Sequence, residues 1–207
     1  KRVLDLMINS IYTNKEIFLR ELLSNASDAI DKLVFTSLTD SSVSVNRDDL
    51  KIVIERDKDA RVLKISDNGI GMDEAELEHN LGTIAESGSL KFKEENKDQK
   101  DTSIIGQFGV GFYSAFMVAY KVEVISKKFG ENQAYMWVSE TTDGYSITEC
   151  DYPTNGTRIN LFLKDNTDDE NYDQYLDEYE IQRLVKKYSD YVHYPIKMDM
   201  STSKKKE

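Results

Sequence analysis

The stretch Asn14-Lys-Glu-Ile-Phe-Leu-Arg-Glu21-Leu-Leu-Ser-Asn25-Ala-Ser-Asp28-Ala-Ile-Asp-Lys32 carries more information than any other in this chain. At ~100° per residue on an α-helix, Glu21, Asn25, Asp28 and Lys32 fall within about 60° of one another on one face. Leu22, Leu23, Ala26, Ala29, Ile30 and Leu33 form the adjoining apolar stripe, which predicts a helix buried against a sheet. The plain reading of such a polar face is solvation. Two features argue against it here. Ser24, Asn25 and Ser27 are poor mid-helix residues, yet they cluster at its centre. The stripe also stacks a carboxylate, an amide and a second carboxylate, oxygen ligands that a hard cation such as magnesium accepts.

Outward from that helix the chain divides by pattern. Helical periodicity extends over residues 3–35, with a break near Tyr12-Thr13-Asn14, and residues 40–49 are polar and read as loop. Runs at 51–55 and 61–66 are rich in β-branched residues, and the Asp57-Lys58-Asp59 link between them predicts an antiparallel hairpin. Asp73 with Glu76 fits a capping box that opens a short helix to about Leu81. A second apolar helix is expected over 112–119, and strands over 121–127, 134–139, 145–150 and 157–164. One amphipathic helix is expected from about 173 to 194, stopped by Pro195. Residues 1–200 then form one domain, and residues 201–207, ending Lys-Lys-Lys-Glu, read as the start of a charged linker. This order predicts an α+β fold: a two-layer α/β sandwich whose mostly antiparallel sheet is covered on one face by helices.

Three glycine motifs punctuate that plan. Asp67-Asn68-Gly69-Ile70-Gly71-Met72 ends a strand on an acid that can accept a hydrogen bond while the backbone passes close to a flat ligand. A plain turn explains Asp-Asn-Gly almost as well. Gly106-Gln107-Phe108-Gly109-Val110-Gly111-Phe112 places glycines just before a helix, where backbone amides and the helix dipole favour phosphate. Its spacing is neither a Walker A loop nor a dinucleotide fingerprint, and a hinge explains it equally well. Gly156-Thr157 opens a later strand and means little alone. Residues 82–111 form a long connection rich in glycine and charge, which reads as a functional lid or as disorder. No element is decisive separately; their order is better evidence.

Composition narrows the partners. The 207 residues, 39% of them hydrophobic, suffice for one compact core. Lys and Arg number 27 against 38 Asp and Glu, a net charge of -11. Such an acidic surface argues against nucleic acid, whose phosphates are bound by Lys and Arg that release counterions. It still permits a small phosphate ligand held by local backbone amides. Cys150 is the only cysteine, so no intrachain disulfide forms, and the usage points to a reducing compartment. No apolar run approaches the ~18 residues of a membrane span. Asn25-Ala-Ser and Asn155-Gly-Thr match the glycosylation sequon and read as chance.

The order of motifs resembles the ATP-binding fold shared by gyrase B, the histidine kinases, the mismatch-repair MutL proteins and the ninety-kilodalton heat-shock chaperones, the GHKL-type fold with its Bergerat-like nucleotide site. Residues 14–32, Asn80-Leu-Gly-Thr-Ile-Ala-Glu-Ser-Gly88 and Gly106-Gln-Phe-Gly-Val-Gly-Phe-Tyr-Ser-Ala115 single out the chaperones almost letter for letter. The closing run Leu184-Val-Lys-Lys-Tyr-Ser-Asp190 with Tyr194-Pro-Ile196 also fits, so the resemblance covers essentially the whole chain. Short loops and the lack of an obvious organelle-type insertion favour the bacterial, cytoplasmic branch, with an organelle homologue still open.

The resemblance implies the following roles. Glu21 is the general base for the attacking water, and Asn25 is the magnesium ligand. Asp67 accepts from the adenine amino group of ATP or ADP, with Thr157 supporting it through a bound water. Asp28 and Met72 line the base and ribose, and Asn80 the ribose and phosphate side. Gly109, Val110, Gly111 and Phe112 meet the phosphates with backbone amides. Lys32, Gly71, Leu81, Ser87, Gly88 and Gln107 complete the nucleotide-binding set. Residues from about Leu81 to Gly111 form the lid. The family commonly has Lys where this chain has Glu86, so a lysine contact there is not carried over. The family's exchanged N-terminal strand and its middle and C-terminal domains are not in this sequence. Client proteins and a homodimer partner are implied for the whole protein, while nucleic acid and membrane are not. A gyrase-type or kinase-type ATPase, or a client-binding domain that needs no nucleotide, are the rival readings.

Overall fold

The computed structural model of the chain describes residues 14–82, 110–140 and 144–198. Expectations for residues 1–13, 83–109 and 199–207 lie outside the described residues; they include the lid between Gly82 and Gly111, Glu86 and the charged linker.

Helix α1 (Ile17–Thr39) continues past the expected end at Phe35. Leu22, Leu23, Ala26, Ile30 and Leu33 are buried as the periodicity predicts, joined by Phe18 and Leu19, while Ala29 is half-buried. Each fully buried leucine or isoleucine is worth roughly 1.5–3 kcal/mol relative to exposure. This stripe, more than intrinsic propensity, keeps Ser24, Asn25 and Ser27 helical.

Strands β1 (Ile52–Asp57) and β2 (Val62–Asp67) form the expected hairpin, with Ile54 opposite Ile65. Strands β3 (Ala119–Lys127), β4 (Ala134–Glu140), β5 (Ser146–Cys150) and β6 (Gly156–Leu163) follow. Among the described residues the sheet order is β5-β4-β3-β6-β2-β1-β7, antiparallel throughout except where β7 (Ile196–Met198) runs parallel to β1. Leu63, Ile65, Val122, Val124, Leu161 and Leu163 share one core with α1, the segment 112–117 and the closing helix. The α+β sandwich is as expected.

Three expectations need correction. The apolar helix over 112–119 is a 3-10 helix, Val110–Met117, and Ala119 already belongs to β3. Residues 112–119 are all buried, so this segment has no polar face to keep wet, and a three-residue turn closed by the Val118 N–H to Ala115 carbonyl bond (3.2 Å) leads it into the strand. The single helix over 173–194 is instead a 3-10 turn Tyr172–Leu176, helix α3 (Glu178–Tyr188) and a second turn Ser189–Tyr191. Asp177 makes the break. Its backbone is extended and its carboxylate accepts from the Glu180 N–H at 3.2 Å, capping α3. Strand β7 is the third: the chain beyond Pro195 pairs with β1, the Pro195 carbonyl accepting from the Ile52 N–H at 2.9 Å. Helix α2 (Glu74–Leu77) starts as expected, with Asp73 accepting from the Glu76 N–H at 2.8 Å. The Glu76 carboxylate pairs with Lys128 rather than closing the second half of that box.

Glu16, just before α1, fastens α3 to it. Its carboxylate accepts from the Tyr188 hydroxyl (3.0 Å), the Arg183 guanidinium (3.3 Å) and the Lys187 ammonium. Burial acts to raise this carboxyl, but the bonds from Lys187, Tyr188 and Arg183 together hold it below its ordinary pKa. A lowered folded-state pKa stabilises the protein above the unfolded pKa, and that contribution is lost as pH falls through the folded value. Glu16→Gln is expected to cost about 1–3 kcal/mol at neutral pH. The deficit should shrink as the pH drops below about 4. Urea unfolding of both proteins at neutral and acid pH measures it; an unchanged neutral midpoint would show the cluster to be energetically idle.

Candidate functional site

Three close approaches at glycine bring the motifs together. A methyl group on Gly69 would lie 2.5 Å from the Ala29 carbonyl carbon, and one on Gly156 would lie 2.1 Å from the Asp67 carbonyl oxygen. One on Gly111 would lie 2.4 Å from a Glu21 carboxylate oxygen. The turn after β2 is thus packed on the α1 backbone, the start of β6 on the end of β2, and the 3-10 helix on Glu21. The Ile70 N–H donates to the Ala29 carbonyl (3.0 Å) and the Ile70 carbonyl accepts from the Phe129 N–H (2.8 Å). Gly71 has φ +70°, and its Cβ direction is filled by the Lys127 carbonyl at 2.0 Å, so backbone packing by itself accounts for glycine there.

The inner face of the sheet ends in a polar row. Asp67 of β2 stands opposite Thr157 of β6, which stands opposite Ser126 of β3. The row beside it is Ile65, Ile159 and Val124. All three polar residues are buried. Asp67 Oδ1 accepts from the Gly69 N–H at 2.8 Å, and the Thr157 N–H also donates to the carboxylate. Burial outweighs these two bonds and pushes the carboxyl up to about 7. The Ser126 hydroxyl accepts from the Met72 N–H (2.8 Å) and meets the Thr157 hydroxyl (2.8 Å) and the Gly156 carbonyl (3.2 Å).

Above this row runs the polar stripe of α1. Glu21 is half-buried and accepts from Arg20 at 2.9 Å, while the Arg20 guanidinium lies 5.8 Å from the Tyr191 ring centroid. Asn25, Asp28 and Lys32 are exposed. Although Asp28 keeps much of its surface in water, desolvation by the protein around its carboxyl, then Asp31, raises it against the opposing pull of Lys32. Lys32, about 16 Å along the axis from Glu21, lines a shallow groove with Phe35, Ile70 and Phe129. Asn80 approaches the Met72 sulfur through its amide, at 3.6 Å.

The side chains of Leu81 and Phe112 belong to the core, the Leu81 carbonyl accepting from the Tyr113 hydroxyl and Phe112 standing edge-on to Trp137 at 5.6 Å. Their backbone atoms are what remain for ligand contacts. Val110 opens the 3-10 helix. Ser87, Gly88, Gln107 and Gly109 lie outside the described residues. Among the described residues no three His, Cys, Asp or Glu side chains gather as a metal site, and no helix is long and apolar enough to cross a membrane. A hard cation would find the Asn25 amide oxygen one turn from Glu21, a donor that suits an ion sharing its shell with phosphate oxygens and water.

Sequence reasoning missed two members of this site. Ser126 ends the inward alternation Val122, Val124, Ser126, and a hydroxyl at an inward position was the available signal. Asn155, read only as a sequon, donates its amide to the carbonyls of Asn68 (3.1 Å) and Gly69 (2.7 Å) and braces the turn.

A mostly antiparallel sheet under a helix with an acid–amide stripe, with a buried aspartate at the sheet's end, fits a domain of the GHKL class. The family model described as "Histidine kinase-, DNA gyrase B-, and HSP90-like ATPase" matches residues 12–165, and the chain belongs to that family. It is similar over its full length to proteins named "Chaperone protein HtpG": 59% identical over 207 residues to that of Clostridium botulinum (strain Langeland) and 58% over 207 to that of Clostridium perfringens. Identity to the same protein of Natranaerobius thermophilus is 60% over 209 residues. Each match covers 100% of this chain and 33% of the relative, so the chain spans about a third of the curated relatives' length.

Proposed function

We propose that this chain is the ATP- and ADP-binding domain of an ATP-dependent bacterial chaperone that assists protein folding in the cytoplasm. The observation that carries the reading is the convergence of its motifs through Gly69, Gly111 and Gly156. Asp67 accepts from the adenine amino group, with Thr157 supporting it through a bound water; Asp28 and Met72 line the base and ribose, and Asn80 the ribose and phosphate side. Gly71 and Lys32 border the same turn and stripe. Backbone amides from Gly109 to Phe112 meet the phosphates, with Leu81, Ser87, Gly88 and Gln107 contributing from the lid at about 81–111. Magnesium held by Asn25 would neutralise phosphate charge.

Glu21 orients and deprotonates the attacking water. Its Oε1 is engaged by the Arg20 guanidinium at 2.9 Å, and that contact must open for the oxygen to take a bond from water. Phosphoryl transfer also calls for a cation at the γ-phosphate. In the whole protein an arginine of the following middle domain supplies it, and lid closure upon ATP promotes dimerisation and acts on client proteins. ATP shifts that equilibrium only through its differential contacts with open and closed states.

The chain alone is therefore expected to bind ADP with magnesium in a calorimetric titration. It should hydrolyse ATP roughly 10³-fold or more slowly than the full-length protein, the scale of a missing arginine in other phosphoryl-transfer systems. Failure to bind any adenine nucleotide would overturn the assignment, and full turnover by the chain would overturn the need for the middle domain.

A further inference from the structure

We propose that Ser126 is a positioning residue that fixes the hydrogen-bond polarity of Thr157, so that Asp67 and Thr157 present an acceptor–donor pair matched to adenine. This inference rests on the adenine reading of the site and deepens it. Ser126 is fully buried, and its oxygen touches three groups from two segments: the Met72 N–H at 2.8 Å, and the Thr157 hydroxyl at 2.8 Å and Gly156 carbonyl at 3.2 Å at the start of β6. A serine hydroxyl has one hydrogen to give. The Met72 N–H can only donate, so Ser126 accepts there and must spend its hydrogen on Thr157 or on Gly156.

The choice decides what Thr157 shows to a ligand. If Ser126 donated to Gly156, Thr157 would have to donate to Ser126, and its own hydrogen would be consumed. If Ser126 donates to Thr157, the Thr157 hydrogen is free to point toward the pocket. Separation selects the second arrangement. The 2.8 Å contact with Thr157 is common to both arrangements, so the carbonyl decides: at 3.2 Å it lies beyond the usual O–H···O range and leaves the Ser126 hydrogen to Thr157. Thr157 is directly opposite Asp67 in the sheet, so a donor then stands beside an acceptor. Adenine offers the complement on adjacent atoms: the N6 amino group donates and N1 accepts. Guanine offers the reverse, O6 accepting and N1–H donating. A hydroxyl that no ligand touches would thus help decide which purine is read where Thr157 meets N1 directly; a bridging water, which both donates and accepts, would carry no such choice.

The test compares ADP with 1-deaza-ADP, in which N1 is replaced by C–H, by calorimetric titration with magnesium. The parent chain should prefer ADP by roughly three- to tenfold, the worth of one neutral hydrogen bond. In Ser126→Ala that preference should fall by up to about threefold, because the Thr157 hydroxyl, no longer receiving a hydrogen bond, is free to turn among its three staggered orientations. Ser126→Thr, which keeps the hydroxyl, should restore it. Ser126→Cys, similar in size with a weak donor, should behave like the alanine variant and serves if that variant does not fold. A purely structural serine would lower affinity for both ligands together and leave the ratio alone, so an unchanged ratio in the alanine or cysteine variant overturns the inference. A parent that binds ADP and 1-deaza-ADP equally overturns it while sparing the adenine reading. A parent that binds neither overturns both.

Discussion

Asp67→Asn is expected to weaken ADP binding by at least about a hundredfold while leaving the ligand-free protein as stable as the parent at neutral pH, or more stable. The carboxylate already accepts from the N–H groups of Gly69 and Thr157. An ionised carboxylate has capacity for a further bond from the adenine amino group. Asparagine keeps one acceptor oxygen, which those amides claim, and turns its NH2 toward the ligand's amino group, donor against donor. A hydrogen bond to a charged partner is worth about 1.5–3 kcal/mol, and the unpaired amide adds a penalty of similar size. At 1.4 kcal/mol per decade, their sum reaches at least about two decades.

The pH dependence follows from burial. The Asp67 carboxyl is pushed up to about 7 from an ordinary 3.8 because its charge is desolvated. A raised folded-state pKa gives stability that is complete below the unfolded value and is lost as pH rises through the folded one. The parent should therefore lose stability between about pH 4 and 7 at this position. A side-chain amide does not titrate in that range, so Asp67→Asn escapes the loss. Ligand linkage runs the other way. If the carboxylate is the form that accepts from adenine, binding must expel a proton below about pH 7. ADP affinity of the parent should rise with pH and level off above that value. Titrations in buffers of different ionisation enthalpy count the proton released, and denaturant unfolding of both proteins across the same range tests the stability half. An Asp67→Asn variant that binds ADP as the parent does would remove Asp67 from the adenine contact.

What could be read from the sequence was what local pattern controls. The α1 stripe and the β1–β2 hairpin are periodicity and turn chemistry, and both formed close to their expected bounds. The splitting of the closing helix at Asp177 was legible in principle, since Asp177 and Glu180 carry a capping-box spacing, but an unbroken amphipathic period overrode it. Strand β7 depends on a partner more than a hundred residues away in sequence, at Ile52, and three residues carry no period of their own. The site divides in the same way. Glu21, Asn25, Asp28 and Asp67 sit in motifs, whereas Ser126 and Asn155 matter through contacts with Thr157 and Gly69 that only the folded sheet creates. From the sequence, Gly69 and Gly111 are expected to let backbone approach a ligand, while Gly156-Thr157 means little alone. Gly69, Gly111 and Gly156 are at least as much room for the protein's own backbone and for Glu21.

That last point makes Gly156→Ala the most destructive single substitution expected outside the ligand contacts. Gly156 has φ +123°, a conformation that costs an L-residue about 1–3 kcal/mol. Its added methyl would also lie 2.1 Å from the Asp67 carbonyl oxygen and 2.9 Å from the Asn68 Cα, both backbone atoms that no rotamer change can move. Either the start of β6 shifts, breaking the register that sets Thr157 opposite Asp67, or β2 does. A combined loss above about 4 kcal/mol is expected, a large part of the 5–15 kcal/mol that typically holds a domain together. Gly130 provides the control. It too has positive φ, +83°, but lies in the turn between β3 and β4 with nothing within 4 Å of an added methyl. Gly130→Ala should cost only about 1 kcal/mol and leave ADP binding unchanged. Chemical denaturation of the pair separates the two contributions. If both variants lose the same small amount, conformation alone requires glycine at 156. If Gly156→Ala is far the worse and its folded fraction binds ADP weakly, contact with Asp67 requires it, and the acid that reads adenine is held in place by the absence of a methyl group on the neighbouring strand.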